Sequence, residues 1–386
     1  MSYRENQGAR TALMFELASS RTLTIAQAVE SLKRDAHMRT VPETIARYSG
    51  LGDMEDKASR RALVDMLVKG NPTAKRDSVE RNVRTWMKPT TQVISRDNAI
   101  QLAYALGLDV PTGEEMMTRL CGESFHWRDP EDIVWIFGLK NGLQYHQAAD
   151  LRGRLEAAGV MALPKEESDG EMTALVRQEV ARLETEEDLE AFLRENRGRL
   201  GRMHNTAYGL FREFMGLLGL PQLDDGLPDV DAMSVREIIT TYMYDSYIPR
   251  AQRSGKGAGK ADDVREAIQR DIRQNWPEET VLSKMLHRQT DVTRKVLVLL
   301  FLACDGGESA YGDWTDETPD DIFQDMYARM NNMLLDCGFP PLDSRTPFDW
   351  MVLYCMCADE SIFIEDYVRR FLTMMFAPAK AEGEQA

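Results

Sequence analysis

Two stretches, SVERNVRTWMK (Ser78–Lys88) and SRDNAIQLAYALGLD (Ser95–Asp109), decide how the chain is read. In the first, Val79, Val83, Trp86 and Met87 fall on one helical face, while Arg81, Asn82, Arg84, Thr85 and Lys88 fall on the other. In the second, the apolar positions again recur at three- and four-residue intervals. The same spacing extends through most of the 386 residues, and β-branched runs closed by Asn-Gly or Asp-Gly turns are missing. The pattern predicts an all-α chain, with capping-box starts at Ser234/Glu237 and Thr185/Asp188. Leu200, Met203, Ala207, Leu210, Phe211, Phe214, Leu217 and Leu218 predict one long helix of nearly five turns.

Outward from these stretches, the chain repeats an order. NVRTWMK (Asn82–Lys88), then SRDNAIQLAYALGLD, then CGESFHWRDPEDIVWIFGL (Cys121–Leu139) is matched by VLSKMLH (Val281–His287), TRKVLVLLFLACDGG (Thr293–Gly307) and CGFPPLDSRTPFDWMVLYC (Cys337–Cys355). Arg96 corresponds to Arg294, Cys121-Gly122 to Cys337-Gly338, and Asp132 to Asp349, each ahead of an apolar helix. Arg and Cys stand 25 residues apart in the first set and 43 in the second, and the excess is about the length of the acidic stretch Asp305–Asp321. A duplication with one acidic insertion accounts for both observations. The resulting division is N-terminal helices over 1–70, a first unit over 71–160, a helical middle region over 161–249, a second unit over 250–378 carrying the insertion 305–321, and a disordered tail over 379–386. Trp86, Leu102, Leu106, Ile133, Ile136 and Phe137 are expected in the first core, with Leu300, Met351 and Leu353 in the second.

The amphipathic helix ending in Trp86, the Pro-containing loop after it and the closing run LAYALGLD together resemble the recognition helix, loop and closing helix of the lambda-repressor-like (Xre/Cro type) helix-turn-helix family. The likeness spans about Ser78–Asp109, with a degenerate second copy near Val281–Gly307. This resemblance implies duplex DNA as partner and a role in transcription regulation, with Arg81, Asn82, Arg84, Thr85, Lys88 and Arg96 meeting bases and phosphates. In the second copy Ser283, Lys284, His287 and Arg288 take those places, preceded by the basic loop of Arg250, Arg253, Lys256 and Lys260. One departure from the family is the approach Gly70-Asn71-Pro72, where Asn71 as cap and Pro72 in the first turn would allow a helix continuous to Met87.

Charge and chemistry bound the alternatives. With 47 Lys+Arg against 63 Asp+Glu the net charge is −16, so any cationic surface is local. Between Lys69 and Asn98 seven basic residues outnumber Asp77, Glu80 and Asp97. The acidic segments Glu166–Glu190 and Asp305–Asp325 suit a basic protein partner, which gives a second reading as a helical adaptor or inhibitor, or as an acidic mimic of nucleic acid, with no DNA binding of its own. Five scattered cysteines, an N-terminus without a signal-peptide core and no apolar run of membrane-spanning length point to a cytoplasmic protein that engages no membrane. SGKGAGKA (Ser254–Ala261) has Ser254 and Ala261 where a phosphate loop needs Gly and Ser or Thr. Cys355-x-Cys357 lacks metal-ligand spacing, Asp305–Asp321 lacks calcium-loop order, and no nucleophile–base pair emerges. The expectation is a binding protein without catalytic residues, cofactor or metal.

Overall fold

A computed structural model describes residues 3–34, 40–88, 91, 93–162, 173–219, 233–244, 247–248, 260–274, 276–305, 318–357 and 364–377. Among them the chain forms nineteen helices and no strand, in agreement with the all-α reading. No helix of the described residues is long and apolar enough to cross a membrane. The chain groups into two compact units, one of residues 39–207 with 335–340 and the other of residues 1–38, 208–334 and 341–386.

The unit of residues 39–207 carries α3 (Val41–Ser49), α4 (Lys57–Gly70), α5 (Arg76–Trp86), α6 (Arg96–Ala105), α7 (Val110–Cys121), α8 (Pro130–Lys140), α9 (Tyr145–Ala157), α10 (Thr173–Val180) and α11 (Glu186–Glu195). Local sequence sets most of these boundaries. Thr40 and Glu43 form a reciprocal capping box at α3, Asp56 caps α4, Ser95 caps α6, and Asp109 caps α7 ahead of Pro111. Helix α8 is buried on nearly every side, which its unbroken apolar run requires, and it packs on α6, α7, α9 and α11. Close approach of α8 to α9 depends on Gly138, where an added methyl would lie 2.9 Å from Ala148 Cβ and would crowd Tyr104. Tyr104 Oη in turn donates to the Trp135 carbonyl at 2.6 Å.

One carboxylate organises this packing. Asp132, in the first turn of α8 and 3% exposed, accepts the Arg96 guanidinium from α6 and the His126 amide at 2.6 Å. Arg96 also donates to the Ser124 carbonyl at 3.2 Å. In the other unit the described helices include α1 (Tyr3–Ser19), α2 (Ile25–Arg34), most of α12 (Asn205–Leu217), α13 (Val235–Tyr242), α14 (Lys260–Arg273), α15 (Glu279–Leu286), α16 (Arg294–Asp305), α17 (Pro319–Asp336), α18 (Pro347–Met356) and α19 (Ile364–Phe376). There Asp349, again in the first turn of an all-round apolar helix and 3% exposed, takes both nitrogens of Arg294 at 2.9 Å and the Asp343 amide at 2.8 Å. Arg294 also reaches the Pro341 carbonyl at 3.0 Å. In each unit the amide lies six residues, and the carbonyl eight residues, before the aspartate. Helix α13 opens with a capping box, Ser234 with Glu237, and its SVREIITTY echoes the TVPETIARY of α3.

Three local expectations change. Helix α5 begins at Arg76 rather than at Pro72, because Asn71 continues the α4 hydrogen bonding to Leu67 and Ala74 then turns back onto the Asn71 carbonyl, which leaves Pro72 inside a turn. Leu106 is only half-buried, since it caps α6 where the chain reverses at Gly107 with φ 61°. The long helix through Leu200 starts only at Asn205; Gly201 bonds instead to the Arg128 carbonyl, and Leu217, 69% exposed, lies off the buried stripe of Ala207, Phe211, Met215 and Leu218. Leu300, Met351 and Leu353 are buried as the pattern predicts. Gly122 and Gly338 both take left-handed φ, 75° and 80°, just beyond a helix end, although residues 335–340 group with the α3–α11 unit, where the Phe339 ring lies 4.7 Å from that of His204.

Two outcomes are expected. Arg96→Met strands a buried carboxylate and should cost about 3–5 kcal/mol of unfolding free energy at pH 7, and Arg294→Met should cost a similar amount; denaturant unfolding of both variants checks this. Asp129 caps α8 through the Glu131 amide at 2.9 Å, and burial, then the neighbouring Asp132, push its carboxyl up to about 6. A folded value raised above the unfolded one means that stability declines as pH climbs through the window from about 4 to 6. Asp129→Asn keeps a capping oxygen and should raise stability by about 1–3 kcal/mol at pH 7 with no gain at pH 4, read from melts at the two pH values.

Candidate nucleic-acid interface

An eleven-residue helix such as α5 is marginal alone, so its position depends on what its apolar face buries. Val79, Val83 and Trp86 supply that face and are all buried, each adding roughly 1.5–3 kcal/mol of transfer free energy. Asp77 in the first turn and Arg84 in the last complement the helix dipole. Beyond Met87 the chain is held in place by Thr91, whose hydroxyl donates to the Thr85 carbonyl at 2.8 Å, and by Ile94, whose amide donates to the Leu120 carbonyl at 2.9 Å.

The opposite face is open. Arg81, Asn82, Arg84, Thr85 and Lys88 are all exposed, and the Thr85 hydroxyl donates to the Arg81 carbonyl at 3.0 Å. Among the described residues no carboxylate pairs with Arg81, Arg84 or Lys88. These five side chains therefore form one solvent-facing strip of three cations, an amide and a hydroxyl.

A second group of cations joins this strip from α4, which precedes α5 by the five-residue turn 71–75. A cleft of about 660 Å³ between the two helices is floored by Val64 and Val83. Lys57, Arg60 and Arg61 border it from α4, and Arg76, Glu80 and Arg84 from α5, with Asp65 also on α4. Arg84 belongs both to the cleft and to the open face of α5. Lys57 and Arg61 are exposed, and Arg60 donates to the Glu55 carbonyl at 3.2 Å. Attention to α5 alone passes over the α4 cations; their i, i+3, i+4 spacing is the sequence signal that places them on one face.

The remaining candidates sit elsewhere. Arg96 is half-buried and committed to Asp132 and, at 3.3 Å, to Glu123, so its guanidinium serves the interior of the unit. On α15, Lys284 is exposed and Ser283 is half-buried, and His287, just past its end, is exposed. Arg288 takes a left-handed φ of 50° and lies over the Tyr208 ring at 4.3 Å. The start of α15 presents exposed Glu278 and Glu279. The basic positions Arg250, Arg253 and Lys256, the Lys260 side chain, and most of the acidic insertion fall outside the described residues. Within the first acidic segment, Glu179, Glu186 and Glu190 pair with Arg199, Arg154 and Arg194. Among the described residues no group of three or more His, Cys, Asp or Glu could hold a metal ion.

No family model, curated protein or solved structure matches the chain. Because Trp86 anchors α5 from below, Trp86→Ala should cost about 3–5 kcal/mol and lower the melting temperature; an unchanged melting temperature would mean that the faces of α5 are reversed.

Proposed function

We propose that the chain is a regulatory protein that binds duplex DNA through the open face of α5. The observation that carries this reading is the strip Arg81, Asn82, Arg84, Thr85 and Lys88, exposed on one helix and without carboxylate partners among the described residues. A helix fits the major groove, Arg and Asn can each make paired hydrogen bonds to base edges, and Lys and Thr can hold phosphates. The resemblance of Ser78–Asp109 to lambda-repressor-like proteins supports the same assignment. If Lys57, Arg60, Arg61, Arg81, Arg84 and Lys88 all met phosphates, the salt slope would reach about 5 in magnitude, which is its upper bound.

The recurrence of the Arg–Asp constellation supports two copies of one helical unit, of which the first carries the reading face. In the second, Glu278 and Glu279 at the start of α15 and the placement of Arg288 over Tyr208 leave a weaker cationic surface. The adaptor reading draws on the acidic segments, yet five of their described carboxylates, Glu179, Glu186, Glu190, Asp320 and Asp325, are already paired within their own unit.

The test is binding to random and selected duplexes by the full chain as salt is raised. Arg81→Ala with Arg84→Ala should weaken binding by about 1–3 kcal/mol for each base partner removed while leaving the melting temperature unchanged. Lys88→Ala should weaken binding to all sequences alike and flatten the salt slope by about one unit. Absence of binding at low salt would remove the DNA reading and favour the adaptor.

A further inference from the structure

Within the cleft between α4 and α5, Arg76 differs from its neighbours. Its Nη2 reaches Asp65 on α4 at 2.6 Å and its Nε meets Glu80, one turn along α5, at 3.1 Å. Lys57, Arg61 and Arg84 line the same cleft without a carboxylate partner among the described residues, and Arg60 meets only a backbone carbonyl. The three latched side chains are 45–54% exposed, so water and ions reach them.

We infer that this cleft seats phosphate groups, and that Arg76 is a reserve phosphate ligand restrained by Asp65 and Glu80. Five cations against two carboxylates leave the cleft positive even with the latch closed, so an anion is drawn in before the latch responds. Exposed ion pairs of this kind contribute little and are screened by salt. A phosphate offers the freed guanidinium several acceptor oxygens in the planar arrangement that guanidinium groups match. Val64 and Val83 at the floor contribute no competing acceptor. Arg84 ties the cleft to the open face of α5, so a strand whose bases face α5 would place a neighbouring phosphate beside α4. Asp65 and Glu80 then act as a brake: they lower affinity for any phosphate chain and keep one cation occupied until phosphate displaces them.

The source of the phosphate rests on the DNA reading above; the seat itself does not. Phosphodiester in a duplex and phosphate in a small polyanion are the same chemistry here, and the experiment separates them. With the full chain, random duplex is titrated over a range of salt, and tripolyphosphate is titrated by calorimetry. The variants are Asp65→Asn with Glu80→Gln, Arg76→Gln, all three together, and Lys57→Ala with Arg61→Ala. All these positions are exposed or half-buried, and circular dichroism melts verify that each variant folds.

Freeing the latch with Asp65→Asn and Glu80→Gln should tighten duplex binding about tenfold and steepen the salt slope by about one unit. That gain should vanish when Arg76→Gln is added, and Lys57→Ala with Arg61→Ala should flatten the slope by up to about two units. A gain that persists without Arg76 would overturn the latch, since the carboxylates would then act only by repulsion. An unchanged affinity and slope in Lys57→Ala with Arg61→Ala, while Arg81→Ala with Arg84→Ala still weakens binding, would overturn the seat and leave the reading of α5 standing. Binding of tripolyphosphate that is abolished by Lys57→Ala and Arg61→Ala, without duplex binding, would uphold the seat for a small polyanion and overturn the DNA reading. Failure of both ligands to bind the wild-type and latch-free proteins would overturn both.

Discussion

A carboxylate in the first turn of a helix buried on nearly every side has to be matched by donors, and in this protein that requirement is met twice. Asp132 draws Arg96 out of α6 and a backbone amide out of the preceding loop, and Asp349 does the same with Arg294 and Asp343. Removing either arginine leaves an uncompensated charge in a low-dielectric interior, which is far more costly than the net gain from the pair itself. The arrangement thus specifies how the start of the arginine-bearing helix meets the start of an apolar one. Arg96 is thereby held inside the unit, whereas Arg61 on α4 and Arg81 and Arg84 on α5 have no carboxylate partner among the described residues.

That division explains why some features were legible in the sequence and others were not. The two faces of α5 could be read because Val79, Val83 and Trp86 repeat at helical spacing and nothing polar interrupts them. The correspondence of Arg96 with Arg294 and of Asp132 with Asp349 was visible as order along the chain. Its meaning was not, because Arg96 meets a residue 36 positions away, and spacing alone cannot distinguish an arginine that faces solvent from one that closes a buried pair. The start of α5 is not legible for a local reason, since Asn71 and Pro72 are as suited to a turn as to a helix start. Periodicity over Leu200–Leu218 ran past Gly201, where a bond to the Arg128 carbonyl takes the chain out of the helix. The cleft needs two helices side by side, and no reading of α5 by itself could supply Lys57, Arg60 and Arg61.

Charge ties the site to the whole chain. A net −16 repels a polyanion at long range, and at ordinary ionic strength that repulsion is screened beyond roughly 8–10 Å. Attraction within the cleft and along α5 acts inside that distance, so binding in this account depends on close approach rather than steering. The Arg76 latch adds internal competition, because carboxylates of the protein and phosphates of a ligand seek the same guanidinium.

Hydrogen exchange of the full chain, with and without a random duplex at low salt, tests the central claim most directly. The account predicts slowed exchange over residues 57–88, which span α4, the turn and α5, with no change over α15 at 279–286. Slowed exchange confined to α15, or no change anywhere at saturating duplex, would contradict it.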